Sequence, residues 1–345
     1  MKTPRVLIDS GAYTAYRQGI KIDIDKYAQF VIEHGHEFDG CINLDHINDT
    51  KKSYENWKYL KSLGAHTIPV YHMVTGEEEY LKKYLDETDH IAIGAVANLD
   101  TEQRVQGFDV IWKKYFLDKD NMPKVKVHGL GLTQIDQMLK YPWFSVDSFT
   151  PVISAVWGSI LLPIIRDNEF KYFDMFICRV SDQAKHVVGN ETSFLGLPPS
   201  AQKAYEGLIV DGGFELGELR YQEQRPTRKD KKNPKKELKP EFGYIIKPSN
   251  TEVRTLANHW EERMRWNLTM WTRLQRRTPV YPRPYVENLI KKEEMIQGPK
   301  TIMYMGVSTT THLAIFGKVR PKLDILISYA YWSENIAKAV AKYRK

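Results

Sequence analysis

The 345-residue chain has only two cysteines, Cys41 and Cys178. Two isolated thiols supply neither a disulfide framework nor the paired spacing of a zinc site, so a reducing compartment and no structural metal are expected. No apolar run approaches the ~20 residues that cross a bilayer, and the opening MKTPRVLIDSGAY has no apolar segment of the signal-peptide kind. The chain therefore reads as soluble and cytoplasmic, without membrane attachment. No internal repeat is visible. Hydrophobic residues make up 42%, enough for a full core, and the length allows one large domain with an insertion or two domains.

Excess positive charge is scarce outside one region. The net charge is +7, yet residues 220–240 alone carry +6 and residues 254–277 carry +4, which leaves −3 for the rest. Basicity confined in this way suits a docking surface for a polyanion. Its candidate contacts are Arg228, Lys229, Lys231, Lys232, Lys235 and Lys236 in the run RPTRKDKKNPKK, with Arg263 and Arg273 in the following helix-like stretch. That stretch also carries Trp260, Trp266 and Trp271, and arginine with aromatic rings suits phosphate contact plus stacking on unpaired bases. The plainer alternative is a solvated loop beside core tryptophans.

Short apolar runs at 5–9, 41–45, 66–72, 90–96, 125–131 and 144–147 alternate with amphipathic stretches such as IDKYAQFVIEHG and KSYENWKYLKSLG. Strand, helix, strand at this spacing predicts βαβ units and a parallel sheet. Six strands do not close a barrel, but 301–307 and 324–331 add two more, joined by a helix-like segment. The expectation is a (β/α)8 TIM barrel built from residues 1–160 and 300–345, with a basic, α-rich insertion over 161–299. Each of the first six strands ends in a polar residue or glycine: Asp9, Asp45, His72, Gly94, Gly131, Asp147. The C-terminal strand ends are where such barrels place their chemistry.

These residues bring a family into view. IDSGAYTAY resembles the Asp-Ser-Gly-Gly-aromatic-Gln motif of the tRNA-guanine transglycosylases. CINLDHI resembles the strand whose Asp reads the purine edge, IGAVANL the Gly-Gly-Leu-Ala-Val-Gly strand, and HGLGLTQIDQMLKYPWFSVDS the segment that carries the nucleophilic Asp. TIMYMGVSTTTHLAIFGKVRPKLDILISYAYW is similar to the family's first two barrel strands, which normally precede the first motif. The resemblance covers roughly 5–150 and 300–332 and implies a circularly permuted barrel. It implies Asp147 as nucleophile and Asp9 as its catalytic partner, with Ser10, Tyr13, Asp45, His72, Gly94, Ala95 and His128 around the base, Tyr13 and His128 stacking on it. The family's Gly-Gly is Gly11-Ala12 here, its Gln is Thr14, and its zinc cysteines are missing. Those departures point to the phage and bacterial DNA 7-deazaguanine transglycosylases, with no cofactor. The implied partners are DNA, with tRNA as the nearest rival, and a base such as 7-cyano-7-deazaguanine.

Base exchange breaks and remakes an N-glycosidic bond. A carboxylate attacking C1′ divides this into two displacements, and a second acid serves the departing and incoming bases. A guanine within a duplex must first be flipped out. The alternatives are aspartates that merely cap helices, a non-catalytic nucleic-acid-binding subunit with the same barrel, and a barrel hydrolase for a small molecule.

The charge analysis makes a direct prediction. DNA binding should weaken with salt, with a log–log slope of about −0.9 per phosphate contact on duplex. Replacing Lys231, Lys232, Lys235 and Lys236 by Ala should lessen that slope in a filter-binding titration; an unchanged slope would leave the run as a solvated loop.

Overall fold

The structure, a computed structural model, describes residues 3–47, 49–73, 77–94, 101–132, 134–181, 193–218, 253–285, 287, 300–319 and 323–345. Ten strands lie among them: β1 (Val6–Asp9), β2 (Gly40–Cys41), β3 (Val70–His72), β4 (His90–Gly94), β5 (Lys126–Gly129), β6 (Ser145–Ser148), β7 (Ser159–Arg166), β8 (Glu169–Arg179), β9 (Ile302–Val307) and β10 (Asp324–Ser328). None of the helices among the described residues is long and apolar enough to cross a membrane.

Eight strands form one all-parallel sheet in the order β2-β1-β10-β9-β6-β5-β4-β3. Strands such as VLI in β1 and IAI in β4 are apolar and buried on both faces, as helix-covered parallel strands must be. The late pair β9 and β10 sits between β6 and β1, with Asp147 opposite Tyr304 and Asp9 opposite Ser328. The two strands that end the order are tied by a parallel bridge between Ile42 and Ile68, with Asn43 N–H donating to the Ile68 carbonyl and Ile68 N–H to that of Cys41. Leu7, Ile42, Ile68, Val70, Ala92, Ile302, Tyr304 and Leu326 form one buried cluster, so strands from both ends and the middle of the order share a core. The sheet is thus curled and compatible with a TIM-like fold.

Several following helices begin at side-chain caps. Asp23 accepts from the N–H groups of Asp25 and Lys26, Asp49 from Lys52, and Thr309 from His312. The expected strand over 41–45 is shorter than its apolar run. The Asn43 side chain donates to the Ser53 carbonyl and Asp45 N–H to that of Asn43, which turns the chain toward the next helix.

The chain divides into two compact units, Met1–Phe149 with Gln275–Lys345, and Thr150–Leu274. The boundaries differ from those expected at 160 and 300. Residues past 275 belong with the sheet because Arg283 donates to the Leu139 and Tyr141 carbonyls and Tyr285 N–H to that of Asn121. Residues after 150 belong with the second unit, where the Asn267 amide donates to the Pro151 carbonyl.

Among its described residues the second unit combines helices with a two-stranded sheet. After the helix Thr150–Val156 comes an antiparallel hairpin, β7–β8, turned by Asp167 and Asn168 at φ of 53° and 59°. Two left-handed residues at a two-residue connection match the right-handed twist of the flanking strands. Against it lie the helices Pro199–Asp211 and Trp260–Gln275, through bonds such as Tyr205 OH to the Pro163 carbonyl and Trp266 Nε1 to that of Leu161.

One glycine of the sheet is demanded by its neighbour. A Cβ on Gly306 in β9 would stand 2.1 Å from Cδ2 of Phe149. Gly306→Ala should therefore destabilise the protein by about 1–3 kcal/mol in urea denaturation, the usual cost of overpacking. Gly207, in a helix interior with nothing within 4 Å of its added Cβ, should move the other way when changed to Ala, by about 0.5–1 kcal/mol.

Candidate functional site

Three carboxylates stand at or just beyond the C-terminal ends of strands of the one parallel sheet: Asp9 on β1, Asp45 after the adjacent β2, and Asp147 on β6, with β10 and β9 between it and β1. In each case an apolar strand carries the backbone through the core and delivers a polar residue at the rim. Asp9 is deeply set but keeps some surface open. Its carboxyl is pushed up from 3.8 to about 7, first by burial, then by the negative charges of Asp45 and Asp147; hydrogen bonds from the backbone N–H groups of Gly11 and Ser10 offset part of this. Asp45 and Asp147 both lie within electrostatic reach of Asp9.

Asp45 and Asp147 each have an imidazole for a neighbour. His72 Nε2 lies 2.8 Å from Asp45 Oδ2, with the two side chains 1% and 8% exposed. His128 Nε2 lies 3.3 Å from Asp147 Oδ1, which also accepts the Gly131 N–H at 2.8 Å. Gly131 has φ of 64°, a left-handed turn that aims its N–H at the carboxylate. Among the described residues no lysine, arginine or histidine contacts Asp9, so it alone meets two carboxylates uncompensated.

Several residues expected around a base sit differently. His128 is fully buried, with Nδ1 2.8 Å from Ser145 Oγ, so it has no ring face to stack on a ligand. His72 is engaged with Asp45 rather than open to a substrate. A Cβ on Gly94 would lie 3.1 Å from His72 Cε1, so this glycine makes room for the imidazole. The Ser10 side chain is fully buried, its hydroxyl accepting the Ala12 N–H at 3.4 Å. Tyr13 is 53% exposed on the helix Ala12–Gln18. Ala95 lies outside the described residues. Beside Asp45 opens a groove of about 810 Å³, bounded by Ala12, Tyr16, Ile20, Lys21 and Lys52; ligand sites commonly span ~300–1,000 Å³.

The expected nucleic-acid contacts also change. Arg263 is fully buried, with Nε donating to the Ala155 carbonyl and Nη1 to those of Leu256 and Ala257. It is a structural hub and not a phosphate contact, because it is shut off from solvent with Nε and Nη1 engaged by backbone carbonyls. Arg273 is half-buried on the Tyr172 ring and donates to its hydroxyl. Trp266 and Trp271 are core residues. Arg228, Lys229, Lys231, Lys232, Lys235 and Lys236 lie outside the described residues.

Sequence reading missed Ser145 and the pairing of histidine with aspartate. The signals were there in weak form. Ser145 lies two residues before Asp147, on the same face of the strand, and His72 and His128 are buried polar residues within short strands.

The raised Asp9 carboxyl has a thermodynamic consequence. Between pH 3.8 and about 7 the folded state holds a proton that an unfolded aspartate has lost. The stabilisation linked to this group is complete below the unfolded value and is lost as pH rises through the folded one. Asp9→Asn cannot ionise, so it should gain on the wild type by a few kcal/mol, as an order of magnitude, between pH 5 and pH 8 in chemical denaturation. Identical pH profiles for the two proteins would refute the shift. No protein-family model matches the chain, and no curated protein or solved structure matches it.

Proposed function

We propose that the chain is a transglycosylase that exchanges guanine in DNA for a 7-deazaguanine, on a closed (β/α)8 barrel circularly permuted relative to the tRNA-guanine transglycosylases. The observation that carries the reading is the division of three converging carboxylates into one that holds a proton near neutrality, Asp9, and two that face imidazoles, Asp45 and Asp147. A double displacement at C1′ requires that division: an anion to attack and an acid to serve the leaving base. The permutation is supported by the sheet order, in which the strands nearest the C-terminus separate β6 from β1. Closure is supported by the bridge between β2 and β3.

In the first displacement Asp147 forms a bond from carboxylate oxygen to C1′ while the bond from C1′ to N9 of guanine breaks. The electron pair leaves with the base, and Asp9 gives its proton to it. In the second, the incoming 7-deazaguanine yields a proton to Asp9 and attacks C1′, and the Asp147 carboxylate departs. Two inversions give overall retention. Asp45 accepts hydrogen bonds from the purine edge through the oxygen that His72 leaves unoccupied, and the exposed Tyr13 ring stacks on the base.

Incubation with labelled guanine and either duplex DNA or tRNA, followed by nucleoside analysis, tests the reading. Asp147→Asn should keep DNA binding and lose both exchange and the denaturation-resistant adduct. Asp9→Asn should lose turnover while some adduct still forms. The wild-type kcat/KM should fall as pH rises past about 7, because the free enzyme needs the protonated Asp9. An adduct mapped to Asp9 or Asp45, or exchange by Asp147→Asn at the wild-type rate, would refute the mechanism; label entering tRNA alone would move the substrate to RNA.

A further inference from the structure

We infer that His128 is a positioning residue for Asp147: it holds Oδ1 in place so that Oδ2 is the oxygen that attacks. The identity of the attacked atom rests on the transglycosylase reading; the hold on Oδ1 does not. His128 is fully buried on β5, where it has no access to a substrate. Its ring is fixed on two sides, by Ser145 Oγ at 2.8 Å from Nδ1 and by the Tyr304 ring, edge-on at 6.0 Å between centroids. Its Nε2 is buried, makes no aligned hydrogen bond, and faces Asp147 Oδ1 at 3.3 Å. A buried ring nitrogen with one polar neighbour is costly unless the two engage. Catalytic hydrogen bonds are often long or misaligned before substrate binds and tighten in the complex.

The geometry also selects a tautomer. If Nδ1 accepts the Ser145 hydroxyl proton, the imidazole proton sits on Nε2 and points at Asp147. The other tautomer would set the Nε2 lone pair against a carboxylate lone pair. In the favoured form, once the contact tightens on substrate binding, His128 Nε2–H joins the Gly131 N–H as a second donor to Oδ1, and Oδ2 keeps its lone pairs. A neutral imidazole orients the carboxylate without discharging it, so Asp147 remains a nucleophile and its charge continues to act on Asp9. The role parallels that of outer-shell partners that orient a reacting group through one hydrogen bond.

Two measurements on the full chain test the inference. The first is the ¹⁵N–¹H correlation of the histidine side chains, with His128 assigned by its loss in His128→Gln. The expected pattern is a protonated Nε2 and a bare Nδ1, with the Nε2–H resonance moving in Asp147→Asn. A protonated Nδ1, or no response to Asp147→Asn, overturns the inference and needs no activity to be read. The second compares single-turnover adduct formation in His128→Leu and His128→Gln. Leucine removes the donor and should slow adduct formation about 10–100-fold with DNA affinity unchanged, whereas glutamine keeps an N–H and should recover most of the rate. Equal losses in both variants would reduce His128 to a packing residue. If the wild type forms no adduct, the transglycosylase reading fails, and the tautomer still decides what His128 holds.

Discussion

Three carboxylates at one sheet mouth cannot all be charged without compensation, and the rest of the site follows from that constraint. Coulomb repulsion between buried like charges is resolved either by a proton on one group or by a donor beside the others. Here the two solutions coexist. His72 and His128 stand beside Asp45 and Asp147, and the remaining repulsion falls on Asp9, which has only backbone amides to offset it. Asp9 acquires acid character first from its burial and then from where its charged neighbours are.

Much of this architecture was legible in the sequence because parallel strands buried on both faces are apolar runs with a period of their own. All eight sheet strands overlap runs visible in the primary structure, including the late pair 302–307 and 324–328, and Asp9, Asp45 and Asp147 stand out as the charges that terminate such runs. The hairpin β7–β8 was less visible, since its Asp-Asn turn is a short signal between strands whose apolar and charged residues follow no clean alternation. The helix Trp260–Gln275 misled for a related reason. Arginine and tryptophan at helical spacing describe a stacking surface and a core equally well, and only the carbonyls of Ala155, Leu256 and Ala257 around the Arg263 guanidinium decide between them.

The pairings inside the site were not legible at all. His72 and Asp45 are 27 residues apart, and His128 and Ser145 are 17 apart. No local pattern links such positions, because they meet only when adjacent strands come into register: Ser145 lies opposite His128 in the β5–β6 ladder. A histidine in an apolar strand is consistent with a stacking residue, a ligand or a buried partner. The neighbouring strand determines which, and its alignment is a property of the whole sheet.

The placement of β9 and β10 between β6 and β1 bears on how the chain reaches this state. During synthesis β1 to β6 emerge first, and the middle of the sheet is supplied by residues 302–328 after the entire second unit has been made. Until then β1 and β6 each present an unpaired edge, the kind of surface that invites association with other chains. The final sheet also joins residues very far apart in sequence, as in the bond from Arg5 N–H to the Asp324 carboxylate across 319 positions. Contacts of that span are entropically late and slow to form. The carboxylates therefore meet late, since Asp9 and Asp147 are brought to one sheet only when the pair β9 and β10 is inserted between their strands.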